Sequence, residues 1–386
     1  MIWYRITPLD VLMFRDSRPF SPADGSWAKG LFPPLPITVF QGLRSLLNQR
    51  TKEDKQQRRE EHRLRDLKFL GPFLCDGQGT LWLPTPKDLV CLYPKDVGTK
   101  KASDCWESVH RLQPAPKDPG WAHLAFAEGH PAPMVITKAI HDKAKDQRLG
   151  EPQPWMRAEY LANYLDEKEL SWERDKLNDS PLFHADPWDL QVMPHIQMKA
   201  GERQVKDEDG YFTEVAVRLR PGWHFVARFE SPDEPLPDQG VIRLGGEGHR
   251  ALVEQMPAPP EWEKLSEFGT HQGDLNRAYV LTPGLALADT DKRLYASYPK
   301  DWGNHLEGCA TDRQLMWGGI SAIARGEQTE LNEVAYIPQR AFVPPGTVYV
   351  FESPPEQKRL LPGDGSHQWL KTFEMLNYGK LLWGVC

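Results

Sequence analysis

The residues best suited to chemistry lie in a segment between positions 15 and 36, where basic side chains alternate with aromatic rings. Its cations are Arg15, Arg18 and Lys29, and its rings are Phe20, Trp27 and Phe32. Cations pair with phosphates and flat rings stack on bases, so this mixture favours binding of a single nucleic-acid strand. An ordinary surface loop whose aromatic rings anchor it to a hydrophobic core has the same composition. The segment alone leaves both interpretations open.

A second candidate lies far along the chain, in the glycine-rich sequence GVIRLGGEGHRALVEQ. Gly245, Gly246 and Gly248 permit backbone conformations in which successive N–H groups turn towards an anion, with Arg250 beside them. The pattern matches neither the phosphate-loop nor the dinucleotide-binding consensus. It therefore indicates a turn that another group can approach closely, without naming that group.

A strand before the first segment and a helix after it must position these side chains. The sequence WYRITPLDVLMF is rich in β-branched and aromatic residues, which predicts a strand that stops at Arg15. Apolar residues at helical spacing then predict a helix that begins near Pro36, with a stripe formed by Ile37, Phe40, Leu43 and Leu47.

The opposite side of this helix carries small residues, namely Thr38, Gly42 and Ser45. Such a face lets another backbone come close, either for packing or for a ligand. Arg44 lies at the edge of the apolar stripe, where its charged head must reach outward or find an anion.

The remaining chain is patterned mainly as strands. Asp76–Gly79 predicts a hairpin turn, and Asp209–Gly210 predicts another within the alternating sequence that starts at His195. Residues 97–182 lack a clear period apart from one predicted helix, WMRAEYLANYLDEKEL, and we interpret them as an insertion. The sequence WLKTFEMLNYGKLLWGVC predicts a closing helix, a break at Gly379 and a final strand.

Composition limits the classes of function. The 386 residues carry a net charge of −7, so a nucleic-acid site must be a local basic patch and not a basic domain. The five cysteines are scattered without a C-x-x-C pair, which indicates reduced thiols and no cysteine zinc site. The sequence has neither a long apolar run nor the pattern of a signal peptide, so we expect a cytoplasmic protein without membrane contact.

Common catalytic motifs are missing from the sequence. No G-x-S-x-G, H-E-x-x-H or phosphate-loop motif occurs, and none of the twelve histidines has another within four residues. A helical histidine pair for a metal is therefore excluded, which leaves open ligands brought together from distant parts of the chain. No cofactor is expected. A lone histidine such as His195 at a strand start favours a structural role over that of a general base.

Several motifs occur in a fixed order along the chain. FRDSRPF at Phe14–Phe20 precedes Gly30 and FPPLPITVFQGLRS, and it is followed by LGPFL, LPTPKDLV, IRLGGEGHRA, VPPGTVYVF and NYGKLLWG. Together they resemble the RAMP-superfamily proteins that form the third subunit of type III-B CRISPR Cmr effector complexes and cap the crRNA 5′ end. The likeness is weakest in residues 97–182.

The resemblance implies an α+β fold of two tandem ferredoxin-like domains, related to RRM domains, with long Gly/Pro-rich loops. Residues 1–190 would form the first domain, with the insertion, and residues 191–386 the second. It also implies a non-catalytic role in antiviral defence. The partners would be the crRNA 5′ handle, the large polymerase/cyclase-like subunit and neighbouring RAMP subunits.

The same resemblance implies which residues line the handle. Carried over position by position, they are Arg15, Arg18, Lys29, Gly30, Thr38, Gln41, Gly42 and Arg44 from the first domain, with Gly245, Gly246, Gly248 and Arg250 from the second. A short single strand recognised through splayed bases, main-chain contacts and phosphates needs such a set.

Two other functions remain open at this point. The chain is a protein–protein scaffold if its glycine-rich loops serve only tight packing. It is a metal-independent endoribonuclease that processes crRNA precursor if His195 or His249, with a nearby lysine, assists attack by a 2′-hydroxyl.

Overall fold

The computed structural model describes most of the chain, in the ranges 2–15, 27–47, 67–95, 105–116, 131–167, 170–176, 181–196, 204, 211–232, 235–270, 275–289, 294–323, 333–356, 358–363 and 368–385. These residues form many strands and few helices. The predicted mixture of α and β structure is therefore confirmed, with strands in the majority.

The described elements are numbered in chain order. The helices are α1 (Pro36–Arg44), α2 (Lys138–Lys143), α3 (Ala158–Asp166), α4 (Trp262–Glu267) and α5 (Gln368–Met375). The first strands are β1 (Ile2–Pro8), β2 (Trp27–Lys29), β3 (Lys68–Cys75), β4 (Leu81–Pro84), β5 (Leu89–Pro94), β6 (Ser108–Arg111), β7 (Gln113–Pro114), β8 (Met134–Val135), β9 (Gln147–Gly150), β10 (Trp155–Arg157), β11 (Ser171–Glu173) and β12 (Phe183–His184). The later strands are β13 (Trp188–Ile196), β14 (Tyr211–Leu219), β15 (His224–Glu230), β16 (Gln239–Arg243), β17 (Arg250–Met256), β18 (Arg277–Val280), β19 (Leu287–Asp289), β20 (Leu294–Tyr295), β21 (Leu306–Ala310), β22 (Leu315–Ile323), β23 (Glu333–Phe342), β24 (Val348–Phe351) and β25 (Leu381–Gly384).

The chain forms two compact units that interleave along the sequence. The first unit contains Met1–Pro72, Pro187–Pro257 and Leu315–Phe342, and the second contains Phe73–Asp186, Ala258–Gln314 and Val343–Cys386. This division differs from the predicted consecutive domains 1–190 and 191–386. The physical reason is strand pairing over long sequence distances, since β1 pairs antiparallel with both β15 and β17.

The main sheet of the first unit has the strand order β3-β15-β1-β17-β16. Helix α1 begins at Pro36, as predicted, and it buries Val39, Phe40 and Leu43. The ring of Phe40 lies 6.0 Å from that of Phe69 and 5.9 Å from that of Phe229, so this helix closes an aromatic core. The buried stripe is shifted from the predicted one, because Val39 is fully buried whereas Ile37 is half-buried.

A second sheet of the first unit is built on a long hairpin. Strands β13 and β14 pair antiparallel from Trp188 opposite Leu219 to Ile196 opposite Tyr211, which confirms the predicted hairpin but starts it upstream of His195. The predicted turn at Asp209–Gly210 lies outside the described residues. Strand β2 adds to β14 in parallel.

The second unit contains a four-stranded sheet with the order β21-β24-β18-β25. Its core includes Trp302, whose ring meets those of Tyr349 and Phe351 edge-on at 5.2 and 5.4 Å. The end of the chain follows the prediction: α5 is followed by Gly379 at a φ of +64° and then by β25.

A buried ionic cluster holds the predicted insertion within the second unit. Asp88 is fully buried and accepts hydrogen bonds from the Tyr164 hydroxyl, at 2.8 and 2.9 Å, and from the Arg277 guanidinium. The Arg111 guanidinium lies 4.5 Å from the centre of the Tyr164 ring and donates to the Glu167 carbonyl. Burial raises the pKa of Tyr164, with the Asp88 charge adding to the shift, so the phenol stays a neutral donor.

The predicted helix of the insertion is confirmed with a later start. Residues Trp155–Arg157 form β10, and the helix α3 begins at Ala158. The four cysteines of the described residues are free thiols, and burial raises the pKa values of Cys91 and Cys309 to about 12. Among the described helices, none combines the length and apolar character needed to cross a membrane.

Replacing Asp88 by alanine is expected to lower the free energy of unfolding by about 3–5 kcal/mol, because Arg277 would stay buried without its counter-ion. The matched control is Lys87→Ala, since the neighbouring Lys87 forms a partly exposed ion pair with Asp312 at 2.8 Å. That control is expected to change the free energy by less than about 1 kcal/mol. Urea unfolding of the full chain measures both, and equal losses would contradict the assigned role of the buried pair.

Candidate nucleic-acid interface

The short segment before Arg15 is fixed by backbone hydrogen bonds from three directions. Leu12 and Val217 exchange N–H···O bonds of 2.8 Å. The Met13 carbonyl accepts from the Gly246 N–H at 2.8 Å, and the Phe14 carbonyl accepts from the Leu31 N–H at 2.8 Å. Because buried backbone groups must be paired, these bonds fix where Arg15 leaves the sheet.

Two glycines make these approaches possible. A Cβ on Gly30 would lie 2.5 Å from the Phe14 carbonyl oxygen, and a Cβ on Gly245 would collide with the Met13 carbonyl oxygen. Gly245 also has a φ of +89°, which side-chain-bearing residues rarely adopt. Both glycines are thus required by the fold of the first unit.

The glycine-rich turn has different roles at its three predicted glycines. The sequence suggested that the N–H groups of this turn face an anion. The N–H of Gly246 instead donates to the Met13 carbonyl, so this amide serves the fold. A Cβ on Gly248, at a φ of +78°, would meet nothing within 4 Å. Gly248 is therefore the glycine of this turn that leaves open space around it.

A buried glutamate ties this turn to the long hairpin. Glu214 on β14 is fully buried, and its two carboxylate oxygens lie 2.8 Å from His195 Nε2 and 3.0 Å from His249 Nε2. These contacts tie His195 on β13 and His249 in the turn to the same carboxylate. No group of three or more metal-ligating side chains among the described residues is arranged to hold a metal.

Helix α1 brings its small-residue side against β16. A Cβ on Gly42 would lie 3.0 Å from Ile242 Cδ1 and 3.3 Å from the Arg243 carbonyl oxygen, so this glycine permits close packing. Thr38, Gln41 and Ser45 on the same side remain beside the strand, and the Ser45 hydroxyl donates to the Gly42 carbonyl at 2.6 Å.

These segments line an open cavity of about 810 Å³ within the first unit. Its lining brings together Phe14, Arg15, Thr38, Gln41, Gly42, Ser45, Val241, Ile242, Arg243, Gly245, Gly246, Arg250, Trp317 and Gly318. Most of the predicted binding residues therefore meet at one place, although they lie in two distant parts of the sequence. The volume falls in the range of ordinary ligand pockets, roughly 300–1,000 Å³.

The other predicted residues lie elsewhere. Lys29 belongs to β2, and Gly30 forms the bridge beside Arg15. Arg44 ends α1, and neither Gly30 nor Arg44 is among the described residues that line the cavity. Gly248 lies in the adjoining turn. Arg18 lies outside the described residues.

The charge in the cavity is positive. Arg15, Arg243 and Arg250 line it, and no carboxylate is among its lining residues in the described part of the chain. Arg15 lies 3.7 Å from Glu247, but both side chains are exposed, so this pair is weak and a stronger anion can replace it. The arrangement suits the binding of phosphate groups.

Among the lining residues that sequence reasoning missed are Arg243 and Trp317, and it left the role of one aromatic ring open. Arg243 had a signal, because it stands beside the glycine-rich turn, whereas Trp317 lies on a remote hairpin without a local motif. Phe32, proposed as a ring for a base, packs 4.6 Å from Trp188 and 5.7 Å from Phe225. It therefore anchors its segment to the core, as the alternative interpretation of that segment required.

A family model described as CRISPR-associated protein (Cas_Cmr3) matches residues 4–386. A chain from the cryo-EM structure of the Type III-B Cmr-beta bound to cognate target RNA is 14% identical, over 98% of this chain and 96% of that chain, with a TM-score of 0.47. A second Cmr-beta structure, with cognate target RNA and AMPPnP, gives 12% identity over 90% and 86%, with a TM-score of 0.45.

A third match is a chain of the Csm3-Csm4 subcomplex of the type III-A CRISPR-Cas interference complex. It is 10% identical over 91% of this chain and 93% of that chain, with a TM-score of 0.35. No curated protein matches the chain.

The glycine-rich turn generates a stability prediction. Gly245→Ala is expected to destabilise the protein by at least about 1–2 kcal/mol, because a Cβ at positive φ is strained and here also meets the Met13 carbonyl. Gly246→Ala is the control, since its Cβ would lie 3.2 Å from Met13 Sδ, the end of a flexible side chain. Chemical unfolding measures the difference, and similar stability of the two variants would contradict the described approach to Met13.

Proposed function

Because the chain belongs to the Cas_Cmr3 family of CRISPR-associated proteins, we propose that it holds the 5′ handle of crRNA in the cavity of its first unit. The family match confirms the resemblance predicted from the sequence motifs, and it identifies the chain as a RAMP-type subunit of type III-B CRISPR systems.

The proposal rests on one observation, that residues from distant parts of the sequence line the same cavity. Arg15 follows β1, Gln41 lies on α1 and Arg250 begins β17, yet all three line one cavity together with Arg243. Guanidinium groups bind phosphates through fixed N–H donors, and polar side chains beside them hydrogen-bond to base edges. A short single strand of RNA presents both kinds of group at once.

The charge distribution of the whole chain supports a confined site. The net charge is −7, whereas the cavity lining contributes three arginines. Electrostatic attraction between cations and phosphates acts on any nucleic-acid sequence. An acidic surface outside the cavity would limit such indiscriminate binding, so affinity depends on how a strand fits the cavity.

Strand order supports the proposed ferredoxin-like architecture of both units. In a βαββαβ fold the sheet order is 4-1-3-2. Strands β17, β1, β15 and β3 have this order in the first unit, with α1 after β1, and β25, β18, β24 and β21 have it in the second, with α5 before β25. We propose that the first ferredoxin-like unit therefore extends to β17. Strand β16 lies between β15 and β17 in the sequence, where the second helix of the fold would be expected.

The proposed role is non-catalytic, and family membership supports it. Both histidines considered for RNA cleavage lie within 3.0 Å of the buried Glu214, an arrangement that favours a structural role for them. We also propose that the protein docks the large polymerase/cyclase-like subunit and neighbouring RAMP subunits. A pure scaffold role is favoured by one observation only, the use of Gly30, Gly42 and Gly245 for internal packing.

The test of the proposal is recovery of RNA with the tagged protein, expressed together with its CRISPR locus. We expect crRNAs that share one 5′ handle, and we expect Arg15→Ala to reduce their recovery. In binding assays the same change is expected to lower the salt slope by about 0.7, the value for one lost phosphate contact on a single strand.

The matched control for Arg15 is Arg5→Ala, because Arg5 is exposed on β1 and lies opposite Glu254 instead of lining the cavity. It is expected to leave RNA recovery unchanged. Partner proteins that co-purify while RNA is unaffected by Arg15→Ala would favour the scaffold. Cleavage of repeat RNA by the purified protein without metal would overturn the non-catalytic role.

A further inference from the structure

Two arginines of the cavity face each other across a pair of strands. Strands β16 and β17 are antiparallel, and their register places Arg243 directly opposite Arg250. Both side chains are exposed at the cavity and line it. Like charges directly opposite in a sheet are destabilising, so the first unit keeps an unfavourable pair at this position when the cavity is empty.

Elsewhere in the same sheet, two charged residues that lie opposite each other on paired strands have opposite signs. Arg5 on β1 lies opposite Glu254 on β17, an ordinary pairing of opposite charges. The pair of Arg243 and Arg250 therefore stands out within the same strand β17. A phosphate between the two guanidinium groups would turn the repulsion into two charge-assisted contacts.

The third element of the cavity is an aromatic ring on another hairpin. Trp317 on β22 lines the cavity, and its cross-strand neighbour Arg340 holds a guanidinium carbon 5.4 Å from the centre of the ring. The Phe342 ring lies 6.4 Å away. These contacts orient the indole, which saves conformational entropy when a flat group stacks on it.

We propose that Arg243 and Arg250 hold one phosphate of the bound strand, and that Trp317 stacks on the base of the adjoining nucleotide. This inference rests on the proposed function and specifies its ligand as an unpaired nucleotide within single-stranded RNA. In an A-form duplex the bases are stacked and their major-groove edges lie deep, so an indole in a cavity reaches only a base that is splayed out.

Helix α1 contributes hydrogen-bonding side chains to the cavity lining. Thr38 and Gln41 line the same cavity from α1, one with a hydroxyl and the other with an amide. Such groups bind the Watson–Crick edge of an exposed base. Stacking accepts any base, so a preference for one base at this position would come from these two side chains.

Removing one arginine of the pair is expected to stabilise the RNA-free protein and to weaken its binding of RNA. Arg243→Gln is expected to raise the thermal midpoint of the RNA-free full chain by about 1–3 °C, because it removes the repulsion. The same variant is expected to bind RNA more weakly, with a salt slope lower by about 0.7. The probe is a labelled single-stranded RNA that carries the repeat-derived 5′ end of the crRNA.

The control for this pair is Arg5→Gln. It removes one positive charge from the same sheet, but from a position opposite Glu254. We expect unchanged RNA affinity and no gain in the thermal midpoint. The phosphate site is supported if Arg243→Gln alone gains thermal stability and loses RNA affinity. If both variants weaken RNA binding equally, the cause is net charge in general, and the phosphate site is wrong.

The ring is tested with two substitutions and a modified RNA. Trp317→Leu is expected to weaken binding about tenfold, within the range measured for base–aromatic stacking, and Trp317→Phe is expected to retain most of the affinity. One abasic position in the RNA is expected to abolish the difference between wild type and Trp317→Leu. This coupling has no counterpart if the indole only supports its hairpin, and thermal unfolding of Trp317→Phe verifies that the hairpin is intact.

The outcomes separate this inference from the proposed function. If Arg15→Ala reduces RNA binding while the Arg243 and Trp317 variants bind like wild type, the inference is wrong and the proposed function stands. If Trp317→Leu weakens binding equally for every abasic RNA, the stacking contact is wrong. If the wild-type chain and its assembled complex hold no crRNA, both fall together.

Discussion

The backbone between Leu12 and Phe14 is the constraint on which the candidate site depends. Its groups are paired by β14, by the segment after Gly30 and by the glycine-rich turn, each through a bond of 2.8 Å. Three parts of the chain that are distant in sequence must therefore approach one short segment. Only residues without a side chain fit at Gly30 and Gly245, so the geometry of Arg15 and the packing of the first unit have the same origin.

Two ionic clusters of this protein illustrate opposite uses of charge. In the second unit, Asp88 and Arg277 are enclosed and balanced, with Tyr164 as a further donor, so their interaction stabilises the fold. In the first unit, Arg243 and Arg250 are exposed and unbalanced across two strands. The proposed binding site would explain a pair of charges that opposes folding, since local rules of stability are expected to fail at functional sites.

Local patterns predicted local structure well in this chain. Helix α1, the turn at Asp76–Gly79 between β3 and β4, the β13–β14 hairpin and the closing helix and strand all follow from periodicity and turn residues. The division into units did not follow, because it depends on which strand pairs with β1. The site was predictable where motifs marked it, at Arg15 and Arg250, but Trp317 enters through a hairpin whose position no local pattern encodes.

Glycine-rich sequences have two physical causes, and this protein contains both within one turn. At Gly245 the space of a side chain is filled by the protein's own Met13, whereas at Gly248 that space is empty. The close packing expected of a scaffold and the open approach expected of a binding loop are therefore not alternatives. The internal contacts hold the turn, with His249 tied to Glu214, so that Arg250 begins β17 in a fixed position. A site for a flexible strand needs such a rigid frame, because each contact is worth more when its protein side is already ordered.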